Sequence, residues 1–116
     1  MNKYQWLMAT AIGLALAGSA SAASISNING QSCGDFNGAW HFVNNQTGGA
    51  SAGTFQATWS SGDTCTVGPS KVLNSTQHFD CVASGTLLSA VTNLPGRLVL
   101  SSFSCETKCD DPKYCK

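Results

Sequence analysis

The chain has 116 residues, six Lys or Arg against six Asp or Glu, and 10% charged residues, a length that suits one domain. So even a balance removes the electrostatic case for a nucleic-acid partner or an anionic membrane surface. No motif calls for a cofactor.

Residues 1–22 have the three parts of an export signal: a short start containing Lys3, an apolar centre from Leu7 to Gly18, and small residues Ala20-Ser21-Ala22 before a cut. About a dozen apolar residues fall short of the roughly 20 needed to span a bilayer, so no membrane insertion is expected of the mature chain. The reading is a secreted protein, periplasmic or extracellular, with the mature domain at residues 23–116. Without Lys3, five Lys or Arg face six Asp or Glu.

Cys33, Cys65, Cys81, Cys105, Cys109 and Cys115 all follow the signal. An even count in an oxidising compartment, in a domain too small for a large core, predicts three disulfides. Six cysteines allow 15 connectivities. The expected set joins Cys65 to Cys81 across neighbouring strands, Cys33 to Cys105 or Cys109, and Cys115 to whichever of those two remains. The tail spacing Cys105-x3-Cys109-x5-Cys115 lacks paired C-x2-C knuckles, and no metal ligand set is assigned.

From Ala23 to Asp35 the chain is rich in Ser, Asn and Gly and reads as a short extended lead. From Phe36 to Val43 the residues Phe36, Gly38, Trp40 and Phe42 alternate with Asn37, Ala39, His41 and Val43, the period of a half-buried strand. Gly53 to Trp59 alternates in the same way, with Phe55, Ala57 and Trp59 on one side. The two runs are expected to pair as a β-hairpin with aromatic rings inward, joined by a loop from Asn44 to Ala52 whose tip should be mobile. Gly38-Ala39-Trp40 resembles the Gly-x-Trp opening of lipocalins and avidins, a three-residue match that assigns no family.

Ser60-Ser61-Gly62-Asp63 marks a turn, and Thr64 to Val67 a short strand ended by Gly68-Pro69. Asn74 to Val82 then puts Phe79 and Cys81 on one face and Thr76, His78, Asp80 and Val82 on the other. Gly85 to Val91 and Gly96 to Phe103 complete the strands, linked through Pro95-Gly96. From about residue 104 a charged, Cys-rich tail follows. No helical periodicity appears. The fold class is all-β: a small antiparallel sandwich or partly open barrel of five to seven strands, disulfide-stapled.

Chemistry-bearing residues are few. His78 and Asp80, two apart, share a strand face as a base and its orienting carboxylate would. His41, His78, Asp80 and Arg97 are the low-ranked candidates for a secreted hydrolase or nuclease. A metal site from His41, His78 and Asp80 would require their two strands to be neighbours. No Gly-x-Ser-x-Gly elbow supports a serine hydrolase. The preferred expectation is an exported non-enzymatic module that binds a protein or glycan through the Asn44, Asn45, Gln46 and Thr47 loop or a polar sheet face. A secreted inhibitor or toxin-like effector is the remaining alternative. Asn45-Gln46-Thr47 and Asn74-Ser75-Thr76 would accept glycans where the source glycosylates such sites.

Overall fold

A computed structural model describes residues 22–106. Most of the expected export segment lies outside the described residues, and so do Cys109 and Cys115 with the third disulfide expected there. The described chain is all β. Its strands are β1 (Ala23–Ser24), β2 (Gly38–Asn45), β3 (Phe55–Trp59), β4 (Thr64–Val67), β5 (Lys71–Val72), β6 (Thr76–Ala83), β7 (Leu87–Thr92) and β8 (Arg97–Cys105). They form two four-stranded sheets in the orders β1-β7-β3-β4 and β5-β6-β2-β8, with every strand pair antiparallel.

Alternation decides which side chains meet. Trp40 and Phe42 of β2, Phe55, Ala57 and Trp59 of β3, and Phe79, Cys81 and Ala83 of β6 are all buried at every second position. The Phe42 and Phe55 rings lie 4.5 Å apart between centroids, Phe55 and Phe79 5.0 Å, and Trp40 and Trp59 5.6 Å. Each of these pairs joins one sheet to the other, so the core is an aromatic layer between two sheets in a sandwich-like arrangement.

The aromatic runs therefore do not form a hairpin. β2 pairs with β6 and β8, whereas β3 pairs with β4 and β7. The connection from Gln46 to Thr54 carries the chain from one sheet to the other. Such a crossing lets the rings cover each other face to face, where a hairpin would set them side by side on one wet surface. Phe36 is a second correction. It precedes β2, lies in a turn closed by its own N–H to the Cys33 carbonyl, and is 38% exposed.

Two irregularities change strand parity. Between Thr58 and Trp59 the register on β7 skips a residue, so Leu88 and Ser89 both face outward. Between His41 and Phe42 the register on β8 passes from Ser102 to Leu100, leaving Ser101 as a bulged residue.

Cys65 is bonded to Cys81 and Cys33 to Cys105. The first pair joins β4 to β6, which belong to different sheets and not to neighbouring strands of one. The second ties the lead before β2 to the end of β8. At the opposite margin the Ile25 N–H donates to the Ala90 carbonyl of β7 and the Ser26 N–H to the Leu98 carbonyl of β8, so the lead stitches the two sheets together. The Asn27 side chain extends this cover by bonding both the N–H and the carbonyl of Leu100.

The crossing segment is anchored after its exposed Gly48-Gly49 tip. The wholly buried Gln77 accepts from the Gly53 N–H at 2.9 Å and donates to the Ala50 and Ser51 carbonyls at 3.1 and 2.9 Å. At its start, Gly96 approaches the Asn45 and Gln46 carbonyls so closely, at φ +105, that a Cβ there would overlap backbone. Replacing Gln77 by Ala removes a wholly buried side chain and its bonds to three backbone groups at once. The expected loss is about 2–3 kcal/mol in urea unfolding. A loss below about 0.5 kcal/mol would show that the segment is held by something else.

Candidate functional site

The outer face of the β5-β6-β2-β8 sheet carries the chemistry. Because His41 faces away from the rings on β2 and is the register partner of Asp80 on β6, the two side chains meet: His41 Nδ1 donates to Asp80 Oδ1 at 2.6 Å. His78, diagonal to His41, places its Nδ1 3.0 Å from His41 Nε2. Three residues from two distant stretches of sequence thus form one chain, Asp80–His41–His78. His41 is about one-third exposed and Asp80 more than half.

The Ser70 hydroxyl, followed by the His41 ring, holds the Asp80 carboxyl below the usual carboxylate range, and both outweigh the opposing effect of burial. Partial burial, aided by His41 and by the Lys71 ammonium, pushes His78 down toward its neutral form against the pull of Asp80. Asp80 therefore stands as an anion oriented on His41, with a neutral His78 at the end of the chain.

This geometry limits what the histidines can do. An acid and a base acting on a phosphoryl or acyl group must flank it. Here the two imidazoles are bonded to each other, leaving no space for a substrate between them. Arg97 does not join them. It pairs with Asn45, roughly 13 Å along β2 from His41, and its Nε donates to the Ser26 hydroxyl. Nor do the three residues surround a common point as metal ligands, since Asp80 occupies the nitrogen of His41 that faces away from His78. Among the described residues no group of three or more His, Cys, Asp and Glu side chains is arranged to hold an ion.

Beside this chain lies a concavity of about 440 Å³ on the same sheet face, with Ala39 of the central strand β2 at its floor. His41, Asp80 and Val82 border it toward β6, and Ser102, Phe103 and Ser104 toward β8. A second hollow of about 230 Å³ continues from Ala39 past Asn37 to Glu106. Together they make a groove with an apolar floor, hydroxyls on one wall and a carboxylate at each end. Val82 is 70% exposed beside it. Phe103, the register partner of the buried Trp40, turns its ring away from the groove to stack on Trp40 at 4.5 Å and lines the groove only along its backbone side.

The expected binding loop looks different in place. Asn44 and Thr47 are buried, with Asn44 Nδ2 donating to the Pro95 carbonyl at 2.7 Å, and Asn45 is half-buried within β2. Gln46 alone of the four is exposed, with a left-handed backbone at φ 59. Ala39, Val82, Ser102 and Ser104 carried no sequence signal for a site. Only the order β6-β2-β8 brings them together, and strand order is not written in local periodicity. No protein-family model, curated protein or solved structure matches this chain.

Proposed function

We propose that this protein is an exported, disulfide-stapled binding module whose recognition surface is the groove on the outer face of β6, β2 and β8. The groove carries the reading: a concave sheet face with exposed apolar residues on a scaffold closed by two disulfides. Export is supported by the three-part segment at residues 1–22 and by disulfides of a kind typical of extracellular proteins.

The occupant is an extended segment of a partner protein bearing Lys or Arg. Val82 and Ala39 would take small apolar side chains, Ser102 and Ser104 would bond main-chain groups, and Asp80 and Glu106 at the two ends would meet cations. Peptides selected from a random library against the oxidised protein are expected to be enriched in Lys and Arg. Ala39→Arg, which fills the floor with a like cation, should weaken them at least tenfold while stability stays within about 0.5 kcal/mol, as for most surface changes. Gln46→Ala should leave their affinity unchanged. Selected peptides indifferent to Ala39→Arg would overturn the groove assignment.

A further inference from the structure

The Asp80–His41–His78 chain has a property that peptide recognition does not use. We propose that His41 and His78 form a two-histidine site for a divalent late first-row transition metal ion, Cu(II) foremost, with Asp80 orienting His41 from outside the coordination shell. The inference shares Asp80 with the groove but does not rest on the peptide reading.

The separation of the two nitrogens is the first argument. His41 Nε2 and His78 Nδ1 are 3.0 Å apart on adjacent strands. With metal–nitrogen bonds of about 2.0–2.1 Å, donors at that spacing subtend roughly 95° at the ion. A tetrahedral centre would set them about 3.3 Å apart. A near right angle is the relation of neighbouring ligands in a tetragonal centre, the geometry preferred by Cu(II) and Ni(II) with nitrogen and oxygen donors.

The outer contact is the second. A ligating imidazole commonly donates its other N–H to a carboxylate, which fixes the tautomer and leaves the remaining nitrogen with its lone pair aimed at the ion. Asp80 does this to His41 at 2.6 Å. In the metal-free protein one proton lies between the two rings. The ion takes its place: the proton on His78 Nδ1 leaves to solvent and one returns to His78 Nε2, so both imidazoles bind neutral and no net proton or electron is exchanged.

Charge and access are consistent with an ion. Asp80 supplies a negative charge beside the pair. Lys71, the register partner of His78, is the opposing cation, and it lies on the short edge strand β5. His41 is partly exposed and borders the open groove, so water can fill the remaining positions around the ion.

The test is titration of the full-length mature, oxidised protein with a Cu(II) salt in a non-coordinating buffer, followed by calorimetry and by electron paramagnetic resonance. One ion per chain with coupling to two nitrogens is expected. His41→Ala and His78→Ala should each weaken binding at least tenfold and abolish the two-nitrogen coupling. Asp80→Asn should weaken it about 10- to 100-fold while keeping that coupling, which separates an orienting residue from a ligand. Zn(II) should bind more weakly than Cu(II). All three side chains lie on the outer sheet face, so unchanged circular dichroism is expected of every variant. Binding that survives in the His41→Ala/His78→Ala double variant, or a coupling pattern with no imidazole nitrogen, would overturn the proposal.

Discussion

Replacing Cys33 and Cys105 together by serine is expected to remove about 4 kcal/mol of stability. The bridge closes a loop of 72 residues, and in the chain-entropy account a loop of that length limits the unfolded chain by about that amount. Domains of this size are stable by only about 5–15 kcal/mol in total, so the variant should sit near its folding threshold at 37 °C. The double substitution matters, because a single one leaves a thiol free to exchange with the tail cysteines. The Cys65→Ser/Cys81→Ser pair supplies the comparison. Its loop spans 16 residues, for which the same account gives about 3 kcal/mol. Urea unfolding of both variants should show the longer loop as the costlier loss. Equal or inverted losses would mean that strain or residual unfolded structure, and not loop length, governs these bridges.

Phe55→Ala should cost about 3–5 kcal/mol, the range for emptying a large aromatic from a packed core. Phe55 has no exposed surface and touches Phe42 and Phe79, both on the opposite sheet. Its removal opens a cavity where the two sheets meet, and the backbones on either side are each held by their own ladder and cannot collapse into it. Val82→Ser, at the most exposed of the large apolar side chains among the described residues, should stay within about 0.5 kcal/mol. Unfolding curves for the two distinguish a core that depends on inter-sheet contacts from one held chiefly by disulfides. A Phe55→Ala loss under about 1 kcal/mol would support the latter.

Much of the fold was legible in local pattern. The strand at Thr64–Val67 lies where turn chemistry and length put it, and the alternation of Trp40 and Phe42, or of Phe79 and Cys81, correctly marked the inward faces. Partnership was not legible. Alternation tells which side of a strand is wet, but it is identical whether β2 pairs with β3 or faces it across the core. The two-residue strands β1 and β5 exist only through pairing with β7 and β6 and have no periodicity of their own. Likewise His78 and Asp80 could be placed on one face from their spacing, whereas the approach of His41 depends on the β2–β6 register. Gln77 illustrates another limit: no local signal marks this polar residue as an anchor, and it is buried where three main-chain groups of the crossing segment converge on it.

The bulge at Ser101 has a consequence for the protein in a crowded compartment. The lead covers the outer edge of β8 only as far as Leu100, and among the described residues no strand pairs with the outer edge from Ser101 to Ser104. An uncovered margin of that kind invites strands of other molecules to add on and seed aggregates. The extra residue sharpens the local twist and interrupts the regular spacing of donors and acceptors. An incoming strand could match the few positions beyond the bulge but could not continue in register past it. Three serines leave such a strand little apolar surface to cover. The same irregularity that lets Phe103 reach Trp40 thus also guards the sheet against growth from its open side.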